Sequence, residues 1–411
     1  MIAEPAICTG QRWLSIIGIG EDGVEGLSSV ARRLIGSAEL VVGGARHLEL
    51  TKDLIRGRRL AWPSPMGDAF AEIKRCRGHS VAVLASGDPF HFGVGKQIAD
   101  FVPAEEFVCL PQPSAFSLAA ARMGWPLQDI SLVTLHGRPL QGIIRRLQPG
   151  ARILALSWDS ATPGKLAEVL QSHRMGLSRI TVLEAMGGAR ERIRHTTASN
   201  FDIGEIDPLN TIAIEVIAEP DAAIIAMVPG LDDAFFEHDG QLTKREIRAV
   251  TLSSLQPQHG QLLWDIGLGA GSVAIEWLLR HPSLRAIGVE EREDRAGRAA
   301  RNAAALGVPE LEIVQGRAPE ALAGLARPDA IFVGGGMLDD GVFDAVWSAL
   351  KPGGHLVANA VSLETEARLA DYFRRFGGDL IRLQIARIDK VGTMSGWRPA
   401  MPVTQWRARK P

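Results

Sequence analysis

The sequence has few cysteines, no excess of charge of one sign and no long apolar run. Its three cysteines, Cys8, Cys76 and Cys109, lie far apart with no C-x-x-C spacing. This excludes a recognisable zinc or thioredoxin motif and is typical of a reducing cytoplasm. The formal net charge of -2 provides no global positive field for a nucleic-acid backbone. No apolar run approaches the ~18 residues of a membrane span, and the N-terminus lacks a signal-peptide pattern. We therefore expect a cytoplasmic protein that binds neither nucleic acid nor membrane.

The length and the apolar pattern predict two α/β domains. A chain of 411 residues is too long for one ordinary domain. Short β-branched apolar runs alternate with longer amphipathic ones, which predicts largely parallel sheets. We place the domains at 1–218 and 230–411, with a linker that begins at Glu219-Pro220-Asp221. The predicted strands are Trp13–Ile19, Leu40–Val42, Ser80–Ala85, Ile130–Leu135, Arg152–Ser157, Ile180–Leu183 and Thr211–Ile217, then Leu262–Ile266, Ala286–Glu290, Leu311–Gln315, Ala330–Val333, His355–Val361, Leu380–Arg387 and Met401–Arg407.

The strongest motif is a glycine-rich turn in the C-terminal half. The stretch Leu263–Ser272 reads LWDIGLGAGS, in which a strand ends in a turn and a helix follows. Glycine in such a turn permits positive φ and lets a ligand approach the backbone closely. Glu290 closes the next predicted strand, 23 residues after Gly267. An acidic residue about 20 residues after the turn typically accepts ribose hydroxyls, so a nucleotide-type ligand is predicted.

Further detail favours S-adenosylmethionine over NAD as that ligand. The dinucleotide fingerprint requires glycine or alanine at position 272, where this chain has Ser272. The pattern is instead D-x-G-x-G-x-G, and Asp265 supplies a carboxylate that suits the ammonium group of S-adenosylmethionine. The turn Lys351–Gly354 before a strand also resembles class I methyltransferases. A structural turn without a ligand is the alternative, but it would leave Glu290 and the Lys-Pro-Gly-Gly turn as coincidences.

The N-terminal half contains a weaker glycine motif and a more informative loop. Gly18–Gly23 matches G-x-G-x-x-G, but Val41–Gly44 stands where an acidic residue would be needed, so the dinucleotide interpretation fails. A tight structural turn is at least as good an interpretation. Gly87-Asp88-Pro89 follows an apolar strand, and Ser114 is a candidate N-cap for the helix after Pro113.

The C-terminal half resembles the decarboxylating precorrin methyltransferase domain. The resemblance rests on Phe236–Arg248 (FEHDGQLTKREIR) and on Asp265–Trp277. It implies a class I, Rossmann-like fold over 230–411 and contacts to S-adenosylmethionine. The implied contact residues are Thr243, Asp265, Gly267, Leu268, Gly269, Ala270, Gly271, Glu290 and Ala318. Lys244 and His238 are candidates for orienting substrate carboxylates, with an ordinary surface role as the alternative for each.

The N-terminal half resembles the class III, or tetrapyrrole, methyltransferases. Gly87-Asp88-Pro89 matches the family's loop, and Leu135–Arg138 (LHGR) resembles the branch that methylates carbon 5 of the precorrin ring. The resemblance implies a bilobal domain whose cofactor contacts are Gly87, Asp88, His91, Ser114, Ala115 and Leu156. His136 and Arg138 are candidate contacts to a substrate carboxylate, or a solvated surface pair. Trp158 departs from the family pattern, and no role is carried over to it.

Together the halves resemble the decarboxylating precorrin-6Y (precorrin-6B) C5,C15-methyltransferases of cobalamin biosynthesis. That resemblance implies two methyl transfers, carbon 5 in the N-terminal domain and carbon 15 with decarboxylation in the C-terminal one. One S-adenosylmethionine per domain, a tetrapyrrole substrate, no metal and a homo-oligomer are expected. The catalytic side chains stay unassigned. Two alternatives remain open: an NAD-dependent oxidoreductase, or one active methyltransferase domain fused to a non-catalytic substrate-binding domain.

Overall fold

The computed structural model describes residues 12–411 and divides this part of the chain into two compact units. The first unit contains residues 12–138 and 149–222, and the second contains Pro139–Gln148 together with Ala223–Pro411. The second unit is therefore not contiguous in sequence. Within it, Arg145 of the short segment forms an ion pair with Glu310, with Nη1 2.9 Å from Oε1. Cys8 lies outside the described residues.

The first unit contains two five-stranded sheets that follow one another along the chain. The first sheet is parallel with the order β3-β2-β4-β1-β5, and the second has the order β6-β7-β10-β8-β9 with only β6 and β7 parallel. The strands are β1 (Leu14–Ile19), β2 (Leu40–Gly43), β3 (Arg58–Ala61), β4 (Val81–Ser86), β5 (Phe107–Leu110), β6 (Ile130–Thr134), β7 (Arg152–Leu156), β8 (Arg179–Glu184), β9 (Arg192–Thr197) and β10 (Asn210–Glu215). The helices are α1 (Ser29–Ser37), α2 (Ala45–Leu50), α3 (Gly67–Arg75), α4 (Gly95–Ala99), α5 (Ala115–Met123) and α6 (Thr162–Ser172).

The centre of the first sheet is buried on both faces, because helices cover each side of it. All six residues of β1 are buried. Ile17 and Ile19 pack in one apolar cluster with Ile35 of α1, whereas Leu14 packs in a second cluster on the other face. This explains why the central strand is a continuous apolar run and not an alternating one.

The second unit contains a seven-stranded sheet with the order β13-β12-β11-β14-β15-β19-β16 and a separate two-stranded hairpin. The strands from β13 to β15 are parallel, and β19 is antiparallel to both of its neighbours. The strands are β11 (Leu262–Ile266), β12 (Arg285–Glu290), β13 (Glu312–Gln315), β14 (Ala330–Val333), β15 (His355–Ala360), β16 (Asp379–Leu383), β17 (Ala386–Val391), β18 (Met394–Pro399) and β19 (Val403–Arg409). The helices are α7 (Arg245–Leu255), α8 (Ser272–Arg280), α9 (Glu293–Ala305), α10 (Val342–Ala349) and α11 (Leu363–Phe376).

The predicted strands differ from the observed ones chiefly where strands are exposed. The expected single strand Leu380–Arg387 is wrong: β16 ends at Leu383, and β17 belongs to the hairpin. No strand was predicted from the sequence at β3, β5, β9 or β18. Of these, β3 and β18 are largely solvent-exposed, and they lack an apolar pattern that would reveal them.

Three further observations bear on the expectations drawn from composition. No helix in residues 12–411 has the length and apolar character needed to cross a membrane. Within that same stretch, no group of three or more His, Cys, Asp or Glu side chains is arranged to hold a metal ion. Cys76 and Cys109 are both free thiols.

Candidate cofactor and substrate sites

A cavity of about 840 Å³ lies in the second unit, where the glycine-rich turn follows β11. It is open at the carboxyl ends of β11, β12 and β14, which is where ligands bind in open α/β sheets. Two predicted residues do not line it: Gly271 precedes α8, and His238 is exposed and accepts a hydrogen bond from the Gly240 amide. The predicted residues that do line it are Thr243, Lys244, Asp265, Gly267, Leu268, Gly269, Ala270, Glu290 and Ala318.

The glycines of this turn have different roles. Gly269 has φ +57°, and a Cβ atom built there would meet nothing closer than 3.9 Å, so the backbone presents an open face. Gly271 has φ +79°, but a Cβ atom there would lie 3.2 Å from Ala299 Cβ. Gly269 therefore leaves room for a ligand, whereas Gly271 allows α8 to pack closely against α9.

Asp265 supplies an unpaired carboxylate oxygen at the cavity wall. Its side chain is buried, and Oδ2 accepts a hydrogen bond from the Ala274 amide at 3.1 Å. Oδ1 has no hydrogen-bond partner. Burial, with a smaller contribution from the nearby Glu290 carboxylate, raises the pKa of Asp265 to about 8. A buried oxygen without a partner fits a cationic ligand group such as an ammonium.

Glu290 is held in a fixed orientation by two backbone amides. Its Oε2 accepts a hydrogen bond from Gly269 N at 2.8 Å, and its Oε1 accepts one from Arg292 N at 3.1 Å. The side chain is only 6% exposed and lines the cavity. A carboxylate has about four acceptor positions, so two remain for vicinal hydroxyls of a ribose. The residues present thus fit both the ammonium and the ribose of S-adenosylmethionine.

Residues 236–244 form a strap along one wall of this cavity, and a buried ion pair holds it there. Arg248 and Glu276 are both fully buried, with Nε 2.5 Å from Oε1. Glu276 also accepts hydrogen bonds from Gly230 N at 2.7 Å and Leu231 N at 2.9 Å, while Arg248 donates to the Thr243 carbonyl. The pair was missed from the sequence, although a glutamate inside the apolar helix run SVAIEWLL was a signal that could have revealed it.

Asn302 of α9 joins the strap to the glycine-rich turn. Its Nδ2 donates to the Ala270 carbonyl at 2.9 Å and to the Glu237 carbonyl at 3.0 Å, and its Oδ1 accepts from Glu237 N at 2.9 Å. The side chain is buried. The strap and the turn are thereby hydrogen-bonded to the same side chain of α9.

A second cavity, of about 430 Å³, lies within the first unit. Asp88 does not line it; its Oδ1 instead accepts a hydrogen bond from Phe90 N at 2.9 Å. Arg138 does not line it either, and its guanidinium lies 5.9 Å from the centre of the Phe92 ring. The predicted residues that line it are Gly87, His91, Ser114, Ala115, His136 and Leu156.

The Gly87 loop packs closely against the start of α5. Gly87 has φ +54°, and a Cβ atom there would lie 2.9 Å from both Pro113 O and Ser114 Cα. Ser114 caps α5 by accepting a hydrogen bond from Ser117 N at 3.2 Å. Gly18 lies in β1, where a Cβ atom would be 1.9 Å from Gly87 O, so the missing side chain lets the Gly87 loop approach the strand. The absence of a side chain at Gly87 therefore serves the contact between loop and helix.

Four polar residues at this cavity were not singled out from the sequence. Glu21, Arg46, His47 and Ser86 all line it and contact one another. Burial and the neighbouring Arg46 lower the pKa of His47 to about 4, so its imidazole is neutral at pH 7. Arg46 and His47 follow the carboxyl end of β2, and that position was a signal for a ligand site.

Comparisons with known proteins match both halves of the chain. Residues 14–202 match the family of tetrapyrrole (corrin/porphyrin) methylases, and residues 234–410 match the precorrin methyltransferase domain. Precorrin-6Y C(5,15)-methyltransferase [decarboxylating] of a Sinorhizobium species is 55% identical over 98% of this chain and 97% of its own length. The protein of that name from Mycobacterium tuberculosis is 39% identical over 96% of this chain and 99% of its own length. A crystal structure of the C-terminal domain of precorrin-6Y C5,15-methyltransferase from Rhodobacter capsulatus is 44% identical, covers 45% of this chain and all of that chain, and has a TM-score of 0.43.

These similarities confirm the fold class and the type of enzyme. The chain is a tetrapyrrole methylase domain followed by a precorrin methyltransferase domain, and a methyltransferase of this kind uses S-adenosylmethionine. The expected oxidoreductase alternative is not supported, since the full-length relatives are decarboxylating C-methyltransferases. With 55% identity across nearly its whole length, the chain belongs to the family of decarboxylating precorrin-6Y C(5,15)-methyltransferases.

Proposed function

We propose that the chain converts precorrin-6B to precorrin-8X by methylating carbons 5 and 15 and removing carbon dioxide from the ring-C acetate. One S-adenosylmethionine would bind in each unit. The observation that carries this proposal is the presence of two separate cavities, each lined by residues of a different methyltransferase motif. From the family resemblance, carbon 5 is assigned to the first unit, and carbon 15 with decarboxylation to the second.

In the second unit, each part of the cofactor would have a matching group. S-adenosylmethionine supplies an electrophilic methyl group when it is bound. Asp265 would hold the ammonium group through its unpaired oxygen, and Glu290 would accept the ribose hydroxyls. Thr243 and Lys244 would cover the site from the strap, with Lys244 also able to contact a substrate carboxylate. Both acidic side chains are buried, so charge-assisted contacts there are strong.

In the first unit, the cofactor would bind against backbone more than against side chains. Gly87 and the start of α5 at Ser114 and Ala115 line the cavity, and Leu156 would contact the adenine. His91 packs against Phe116, with ring centroids 4.9 Å apart, and so forms a rigid wall. His136 would face the substrate.

The chemistry needs positioning more than strong acids or bases. The ring is electron-rich, so its meso carbon can attack the methyl carbon in line when both are held in place. A carbon–carbon bond forms, the sulfur–carbon bond breaks with its electrons left on sulfur, and a proton is released. In decarboxylation the bond between the acetate methylene and its carboxylate breaks, and its electron pair passes into the conjugated ring. The former acetate methylene then takes up a proton and becomes a methyl group.

The division of labour is tested by blocking the first cavity alone. Ala115→Trp would fill space that the cofactor needs, whereas Ala121→Trp places the same side chain on the exposed face of the same helix. Full-length protein is supplied with precorrin-6B and isotopically labelled S-adenosylmethionine, and products are measured by mass spectrometry. We expect Ala115→Trp to stop at a ring with one methyl group gained and one carbon dioxide lost, and Ala121→Trp to complete both transfers.

Other products would contradict parts of the proposal. A ring with one methyl group and all carboxylates retained would move decarboxylation to the first unit. A doubly methylated ring from Ala115→Trp would mean that the first unit is a non-catalytic substrate-binding domain. The far-ultraviolet spectrum and melting temperature of both variants show whether the blocked protein is folded.

We further propose that the protein is a cytoplasmic homo-oligomer. The two free cysteines are consistent with a reducing compartment. The hairpin β17–β18 supports self-association, because Ile388, Met394 and Trp397 are each at least 67% exposed.

A further inference from the structure

The cavity of the first unit contains one positively charged side chain that the cofactor contacts do not use. Among the described residues that line it, Arg46 is the single lysine or arginine. It lies on α2, directly after the carboxyl end of β2, and its side chain is 37% exposed. The rest of the wall is mainly apolar, aromatic or neutral polar. A single guanidinium in such a wall provides one defined point for an anion, although it is already paired with Glu21.

The Arg46 guanidinium is held in place from three sides. Nη1 donates to Glu21 Oε1, and Nη2 lies 3.1 Å from Ser86 Oγ and 3.0 Å from His47 Nε2. The Glu21 side chain is only 12% exposed, and His47 is buried. An arginine fixed in this way has already lost most of its side-chain freedom, so a ligand would pay little of that entropy on binding.

Arg46 belongs to a cluster of two arginines and two carboxylates, in which Arg190 pairs with both Glu21 and Asp207. Glu21 is shared with a second arginine, Arg190, whose Nη2 lies 3.7 Å from Glu21 Oε2. His47 adds no charge at pH 7, because burial holds its pKa near 4. Burial and the nearby Arg190 lower the pKa of Arg46, whereas Asp207 acts in the opposite direction. A ligand carboxylate would meet Arg46 as the one basic side chain among the described residues of the cavity wall.

We propose that Arg46 binds a carboxylate of the tetrapyrrole in the first cavity, with Glu21 and Ser86 as positioning residues. This inference rests on the proposed function, in which the ring is methylated at carbon 5 in that cavity. Ring acetate and propionate groups are carboxylates, which a guanidinium binds through charge-assisted hydrogen bonds. A contact at one such group would select the orientation in which the target carbon faces the methyl donor.

The test compares Arg46→Gln with Arg46→Lys and with Arg56→Gln in full-length protein. Arg56 is exposed in the same lobe and does not line the cavity, so it is the matched control. The singly methylated, decarboxylated ring is supplied as substrate for the second transfer. We expect Arg46→Gln to raise its KM at least tenfold, Arg46→Lys to restore part of the loss, and Arg56→Gln to match the wild type.

S-adenosylhomocysteine also has a carboxylate. A calorimetric titration with it shows whether Arg46 binds the carboxylate of the cofactor or that of the ring. We expect its affinity for the first unit to stay within twofold in Arg46→Gln. A wild-type KM for the ring would overturn the inference, and so would a tenfold loss of S-adenosylhomocysteine affinity with an unchanged KM.

Glu21→Gln provides a second variant if Arg46→Gln folds poorly. It keeps the guanidinium but removes the ion pair, so a smaller rise in KM is expected without a change in S-adenosylhomocysteine affinity. An unchanged KM in both Glu21→Gln and Arg46→Lys would also contradict the inference. If the wild type does not methylate carbon 5, the proposed function is wrong. If the wild type methylates carbon 5 and the Arg46 variants do so with the same KM, only this inference is wrong.

Discussion

Asp265 links cofactor binding to the release of a proton. In the cofactor-free protein its pKa is about 8, so the carboxyl is largely protonated at pH 7. A bound ammonium group beside Oδ1 favours the ionised form and lowers that pKa. Below pH 8, binding therefore releases a proton, and S-adenosylhomocysteine affinity should rise by up to tenfold per pH unit between pH 6 and about 8. Calorimetry in two buffers of different ionisation enthalpy measures the proton directly.

Asp265→Asn is the control for this linkage, because the amino group of the ligand still titrates in that variant. The difference between wild type and variant in the number of protons released is the contribution of the Asp265 carboxyl. Equal heats in both buffers for the wild type would show that Asp265 is already ionised before the ligand binds.

Glu290→Ala should weaken cofactor binding in the second unit by tenfold or more. The carboxylate would accept two hydroxyl groups, and hydrogen bonds to a charged group contribute about 1.5–3 kcal/mol each. Titration with S-adenosylhomocysteine measures the change. Glu293→Ala, an exposed residue near the start of α9 that does not line the cavity, is the matched control and should bind as the wild type does. Equal affinity in the two variants would remove Glu290 from the site.

The sequence predicted cavity-lining residues where their position depends on local order, and missed residues whose position depends on distant partners. Asp265 and Glu290 were predicted because a strand end and a fixed spacing place them. Arg46 was missed because its role depends on Glu21, 25 residues earlier in the chain. Arg248 was missed for the same reason, since Glu276 is 28 residues away. A charged side chain is predicted to be an ordinary surface residue when its buried partner cannot be identified from the sequence.

At the level of elements, the strap depends on the buried pair between α7 and α8. Arg248→Gln would leave Glu276 buried without its cationic partner, which costs about 3–5 kcal/mol of unfolding free energy. We expect a lower melting temperature and weaker S-adenosylhomocysteine binding in the second unit, because Thr243 and Lys244 are no longer held at the wall. Arg245→Gln, an exposed change on the same helix, should alter neither quantity. A folded Arg248→Gln protein of wild-type stability would show that the pair does not hold the strap.

The strand pattern was predictable for the buried sheets and not for their edges. Leu262–Ile266 and Ala330–Val333 match the structure residue for residue, because both are fully buried and, apart from Asp265, apolar. The hairpin escaped prediction because Ile388 and Trp397 pair with each other while both stay exposed. Apolar residues in a strand normally pack in a hydrophobic core, whereas Ile388 and Trp397 are exposed.

At the scale of the whole molecule, that exposed hairpin predicts self-association. Changing Met394 and Trp397 to glutamate should shift the protein towards a smaller species in light scattering, since charged residues are disfavoured in the centre of an interface. Leu177→Glu, which changes an apolar residue of the first unit that is 58% exposed, serves as the control. A wild-type protein that is monomeric at micromolar concentration would contradict the expectation.

The segment Pro139–Gln148 has a consequence for how the chain is made. A ribosome synthesises this segment before Ala223–Pro411, with which it is grouped in the finished molecule. Domains generally fold as they emerge, so the first unit can form while Ile144 and Arg145 still lack their neighbours Gly307 and Glu310. For that interval an apolar turn stays open to other nascent chains and to chaperones. A chain that ended at Ala222 would keep that turn without these neighbours.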